Sequence, residues 1–200
     1  MLKIALIAGG AALGVAALGL AAWGYIRLTV ETPPHETLIA DGAFELRRYP
    51  ALVVAETERD AARRDALRAG FGPLARYIFA RDREGETIAM TAPVLQQPAE
   101  GGWRVAFVMP SGRARAALPA PAQADVRLSE WPAATRAAVR FSGAADDALL
   151  AEREAALRGW MAERGLEALG PALHAYYDDP FTPGFLRRNE ILIETAAPAG

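Results

Sequence analysis

The sequence predicts an α+β domain in which a strand–strand–helix–strand–strand pattern occurs twice. The two units join as one curved antiparallel sheet or open barrel that carries two helices. Three observations carry this reading. Two stretches, at about 61–80 and 145–165, place apolar residues at helical spacing. Each is flanked by pairs of short runs with strand character. An uncharged run, residues 4–26, precedes them all and is predicted as an N-terminal transmembrane helix.

Residues 4–26 would span about 34 Å as a helix, enough for the apolar core of a bilayer. Lys3 precedes the run, Arg27 follows it, and Trp23 and Tyr25 sit where ring side chains favour a membrane interface. The rival reading is a cleaved signal peptide with Gly19-Leu20-Ala21 as a small-x-small site. The apolar run continues past that point, which favours an uncleaved anchor. Gly10 and Gly14 have a helix-packing spacing, but a Gly/Ala-rich segment produces it by chance. Lys3 and the amino terminus, set against Arg27, lean towards a cytoplasmic N-terminus and a domain on the non-cytoplasmic, periplasmic side. Residues 1–30 are thus the membrane anchor, 31–42 a stiff linker around Thr32-Pro33-Pro34, 43–195 the domain and 196–200 a loose tail.

Within the domain, Phe44 and Leu46 alternate with Glu45 and Arg47 in a first strand at about 43–49, which Pro50 ends. A second strand, about 51–58, holds Leu52, Val53 and Val54. Leu67, Phe71, Leu74 and Ile78 share one face of the first helix. Gly70, Gly72 and Pro73 interrupt that helix and predict a kink or a restart. Strands are expected at 87–94 and 103–109, then a loop through Pro119 and Pro121. The pattern then repeats, with strands at about 125–131 and 135–142. A helix at 145–165 follows, with Leu149, Leu150, Leu157, Trp160 and Met161 on one face. Strands at about 172–177 and 189–194 close the second unit. The repeat is one of pattern, with little residue identity between its halves.

Composition excludes several functions. The 200 residues contain no cysteine, so disulfides, thiolate metal sites and a Cys nucleophile are ruled out. Two histidines, His35 and His174, and the few serines leave little from which to build a triad or a zinc site, and no structural metal is expected. The net charge is −2, with Lys3 and Arg27 outside the domain, which argues against a nucleic-acid partner. No phosphate-binding loop, G-x-G-x-x-G or H-E-x-x-H motif occurs.

Several motifs occur in a fixed order: Phe44-Glu-Leu-Arg-Arg-Tyr-Pro50, Tyr77-Ile78-Phe79, Ile88-Ala-Met-Thr-Ala-Pro-Val94, Phe107-Val-Met-Pro110, Phe141-Ser-Gly143 and Arg187-Arg-Asn-Glu190. Together they resemble the SOUL family of haem-binding proteins over about residues 43–194. The resemblance implies duplicated ββαββ units forming a distorted antiparallel β-barrel with two helices. It also implies binding of haem or another porphyrin, without established catalysis. The same architecture resembles GyrI-like effector-binding domains, an analogy of fold alone.

The resemblance also implies a site. Family positions on the first helix match Leu67, Arg68, Phe71, Leu74, Ala75 and Arg76. The loop before the last strand offers Phe181 and Phe185 as apolar contacts, with Arg187 for a propionate. Some relatives carry a histidine directly after the arginine of the first-strand motif; here that residue is Arg48, which cannot ligate iron. His174 is a candidate metal ligand from a strand, and Met90, Met109 and Tyr77 can ligate in principle. The expected mode is burial of the ring with Arg–propionate pairing and no strong protein ligand. The alternatives are a non-haem effector-binding or scaffolding module, and a small-molecule hydrolase working through Glu190, whose simpler reading is a structural role in ordering the loop.

Overall fold

The computed structural model describes residues 30–197. The expected membrane helix over 4–26 and the end of the tail lie outside the described residues. Among the described residues, no helix is long and apolar enough to cross a membrane.

The strands are β1 (Glu36–Asp41), β2 (Phe44–Tyr49), β3 (Leu52–Arg59), β4 (Val94–Ala99), β5 (Gly102–Val108), β6 (Arg127–Trp131), β7 (Ala134–Phe141), β8 (Leu173–Tyr176) and β9 (Asn189–Thr195). The helices are α1 (Arg63–Ile78) and α2 (Asp147–Glu163). All nine described strands join one antiparallel sheet in the order β1-β2-β7-β9-β8-β4-β5-β3-β6. The sheet is open, with β1 and β6 at its edges, so the expected barrel does not close.

The repeat is visible in that order. Outward from the central β8–β4 pair, one side reads β9, β7, β2 and the other β5, β3, β6. The first strand of each unit therefore lies in the other unit's half. Only Pro50 and Ala51 separate β2 from β3, yet β2 pairs with β7 while β3 pairs with β5 and β6. Pro50 has no N–H to close a tight hairpin and holds φ fixed, which suits a crossing between halves.

Three sequence expectations are corrected. The linker 31–42 contains β1, which pairs with β2 and packs Leu38 and Ile39 against the core. The third strand does not run over 87–94; it begins at Val94 and continues to Ala99. Pro93 cannot donate to a ladder, and Ile88 instead donates its N–H to the Ile78 carbonyl at 2.7 Å, closing the end of α1. The first helix does not restart: α1 runs unbroken through Pro73. Pro73 deprives the Ala69 carbonyl of its helical donor, and Arg59 Nε donates to that carbonyl at 3.4 Å.

Both helices lie on the same face of the sheet. Leu150, Leu157, Trp160 and Met161 of α2 pack on Leu46, Ala137, Ile191 and Ile193. Leu74, Tyr77 and Ile78 of α1 pack on Ala55, Val105 and Phe107. Asp146 caps α2 by accepting from Leu149 N at 2.9 Å. Arg63, at the start of α1, ties the helices together by donating to Asp147 (2.5 Å), Tyr176 (2.9 Å) and the Ala145 carbonyl (2.9 Å). A separate cluster, including Tyr49, Leu52, Leu95, Leu173 and Leu192, lies on the helix-free face.

Candidate functional site

The loop between β8 and β9 is built to hold aromatic rings away from the core. Asp179 accepts from the N–H groups of Phe181 (2.7 Å) and Thr182 (3.0 Å) and from the Thr182 hydroxyl (3.0 Å). Arg187 donates to the carbonyls of Thr182 (2.7 Å) and Pro180 (2.6 Å). Gly143 N donates to the Gly184 carbonyl at 3.0 Å, and Asn189 donates to the Gly143 carbonyl at 3.1 Å. The result is a cross-braced tip on which Phe181 is 93% and Phe185 77% exposed. Both rings stand in water although their backbone is fixed, which suits an apolar contact surface.

On α1, Phe71 is 39% exposed and sets its ring edge-on to Phe107, with centroids 5.2 Å apart. Leu67 and Ala75 are half-buried beside it. Leu74, expected to touch a ligand, is fully buried against the sheet and offers it no surface here. Arg68 is exposed and pairs only loosely with Asp65, at 3.9 Å. Arg76 holds Asp82 at 2.9 Å. Arg187, expected to meet a propionate, spends two nitrogens on its own loop and so fixes the loop's shape. The loop and the start of α1 converge on one turn: Gly184 abuts Gly143–Ala144, and Arg63 bonds Ala145 and Asp147.

His174 faces the helices. It is buried beside Trp103 (5.8 Å between centroids) and Tyr176 (6.4 Å), and its Nδ1 has no hydrogen-bond partner among the described residues. Burial, then the nearby Arg63 charge, pushes its pKa down to about 4, so the ring is neutral at pH 7. Of the other candidate ligands, Tyr77 donates its hydroxyl to the Pro119 carbonyl at 2.9 Å and Met109 is buried, whereas Met90 is exposed. Among the described residues, no cluster of three or more His, Asp or Glu side chains is arranged to hold a metal ion.

Sequence reasoning gave Glu190 a role in ordering the loop but missed that it is the polar centre of the helix-free face. Glu190 is fully buried and accepts from Arg47 at 2.7 and 3.3 Å, from Arg188 at 2.7 and 3.1 Å and from the Tyr177 hydroxyl at 2.8 Å. Arg188 also lies 3.8 Å over the Tyr177 ring. Burial raises the Glu190 pKa, but the Arg47 bond and the charges of Arg47 and Arg188 outweigh it, and the carboxyl stays below its ordinary range. Burial, with the Glu190 charge beside it, drives the Tyr177 phenol well above its usual value. With both oxygens engaged and no solvent contact, Glu190 holds β2, β9 and the loop together. The signal was present in Arg47 and the Arg188-Asn-Glu190 motif, but nothing local says that they meet.

The family model described as SOUL heme-binding protein matches residues 30–194. No curated protein matches the chain. Among solved structures, the crystal structure of the EcmrR C-terminal domain is 14% identical, with a TM-score of 0.57, covering 76% of this chain and 96% of that one. A protein described as a hydrolase from Listeria innocua is 11% identical, with a TM-score of 0.55, covering 80% and 94%. An uncharacterized conserved protein from Listeria innocua is 10% identical, with a TM-score of 0.56, covering 76% and 92%. At these identities the likeness is one of fold.

Proposed function

Because the chain belongs to the SOUL heme-binding protein family, we propose that it binds haem or a related tetrapyrrole, for carriage, buffering or sensing rather than catalysis. The observation that carries this reading is the braced loop that exposes Phe181 and Phe185. Fully burying one such ring is worth about 1.5–3 kcal/mol, and the loop is already ordered, so binding costs little conformational entropy. Phe71 adds a third ring on α1, and Arg68 is the cation least committed to a partner among those expected to meet a propionate.

These residues suit the ring and the carboxylates of a tetrapyrrole. They supply no axial ligand, since neither the loop nor the exposed face of α1 presents a histidine. The tetrapyrrole is therefore cargo held by its rim and faces, and porphyrins of different metal content should bind comparably. We read residues 4–26 as the anchor that holds the domain at a membrane, on the non-cytoplasmic side; the uncharged run supports the anchor, and Lys3 with the amino terminus, set against Arg27, supports the side.

The test is a hemin titration of the full chain, followed at the Soret band in ferric and ferrous states. Saturable binding that weakens at least tenfold in the Phe181→Ala/Phe185→Ala variant is expected. A flat titration, or one the double variant leaves unchanged, overturns the reading.

A further inference from the structure

Beside its polar centre, the helix-free face carries a buried apolar area that no helix among the described residues covers. Tyr49, Leu52, Leu95, Leu173 and Leu192 pave it. Part of its cover is the chain's own segment Glu31–His35. The Glu31 carbonyl accepts from Ala92 N at 2.9 Å, and its carboxylate accepts from Ser111 N at 2.7 Å. At the other end, the His35 ring lies 5.2 Å from the Tyr49 ring. Between these pins come Pro33 and Pro34, which have no N–H with which to join a ladder. The segment is a strap fixed at its ends.

A cavity lies on each side of the strap. One, of about 260 Å³, is bounded by the strap and by Leu52, Val53, Val108 and Met109. The other, of about 30 Å³, reaches Leu95, Leu173, Leu192 and Tyr177. Both are lined by Thr32, Pro33 and Leu52, so the strap is the partition between them. Lifting it would merge them into one trough in the size range of small-molecule sites, about 300–1,000 Å³.

The chemistry of the walls selects an occupant. The floor is leucine, and the Tyr49 and Tyr177 rings stand at the smaller cavity. Arg136 lies 5.7 Å over Tyr49, and Arg188 lies 3.8 Å over Tyr177. The carboxylates beside them are paired: Glu190 with Arg47 and Arg188, and Glu194 with Arg136 at 3.4 Å. An anionic head would meet guanidinium there rather than bare carboxylate. We propose that the helix-free face is a second small-molecule site, for a flat apolar carboxylate, closed by the Glu31–His35 strap. It is separate from the Phe181–Phe185 loop.

The chain has no cysteine, and Glu31 and Thr91 are bridge partners, so Glu31→Cys/Thr91→Cys can lock the strap with a single disulfide. The probe is 6-fluoro-2-naphthoate, followed by fluorine NMR with the full chain in lipid nanodiscs against empty nanodiscs. The reduced variant should bind the probe at least ten times more tightly than the oxidised one. Pro33→Gly/Pro34→Gly, which loosens the strap, should bind more tightly than the wild type. Phe181→Ala/Phe185→Ala should leave probe binding unchanged while weakening hemin. Equal affinity in the two redox states, no binding in either, or loss of the probe in the phenylalanine variant overturns the proposal.

Discussion

Arg47 and Glu190 stand 143 positions apart in the chain and meet at 2.7 Å in a fully buried ion pair. Arg47 also donates to the Tyr49 hydroxyl at 3.1 Å and to Glu45 at 2.6 Å, and Arg188 closes the cluster from the loop side. The pair therefore joins β2 of the first unit to β9 of the second. Removing one partner from such a pair leaves an uncompensated charge out of water, which costs about 3–5 kcal/mol.

The Glu31–Gly200 unit is compact by itself. Residues 31–200 should therefore fold, remain soluble and keep the strap. Detergent partitioning checks the anchor reading: the fragment should stay in the aqueous phase and the full chain should not. Equal partitioning would refute the anchor.

Glu190→Gln should lower the unfolding free energy of that fragment by about 3 kcal/mol at pH 7. It should also remove an acid-sensitive step. The folded carboxyl titrates below its ordinary value, so its stabilisation is complete above about pH 4.3 and is lost as the pH falls through the folded pKa. Urea unfolding across about pH 2.5–7 reads both effects.

His174 has the opposite character, a base held neutral. Its folded pKa of about 4 lies below the ordinary 6.5. Between those values the unfolded chain takes a proton that the folded chain refuses, so stability falls as the pH drops from 6.5 towards 4. The whole depression is worth about 3 kcal/mol. His174→Phe should flatten that slope. A slope that persists in the variant would assign it to other groups.

Gly70 and Gly72 sit two residues apart on α1 and should respond oppositely to alanine. A Cβ on Gly70 would lie 2.8 Å from both Cβ and Cγ2 of buried Val105, forcing α1 off the sheet at a cost of about 1–3 kcal/mol. A Cβ on Gly72 meets nothing within 4 Å, so there the gain in helix propensity, about 0.5–1 kcal/mol, should dominate. Thermal or urea midpoints of the two variants check the sign.

Arg68→Ala should weaken hemin binding by about one to two decades, the worth of a charge-assisted bond of about 1.5–3 kcal/mol. It should hardly affect a porphyrin whose propionates are esterified. Titration of both ligands against wild type and variant checks this, and equal losses for the two would remove Arg68 from the carboxylate site.

The amino-acid sequence by itself determined the two helices, seven of the nine described strands and the family, and it placed β4 too early in the chain. These rest on apolar periodicity and on motifs whose residues are neighbours along the chain. It missed β1, because Glu36–Asp41 is a half-exposed edge strand whose pattern is weak until β2 lies beside it. It placed the α1 apolar face correctly but could not divide that face into ligand and core. Only packing on Val105 and Phe107 seals Leu74 while leaving Phe71 at the surface. The exchange of β2 and β6 between halves, the burial of Glu190 between Arg47 and Arg188, and the strap across the helix-free face were decided by tertiary structure. Each depends on which distant strands pair, and that is settled by the burial of whole faces rather than by any local run of residues.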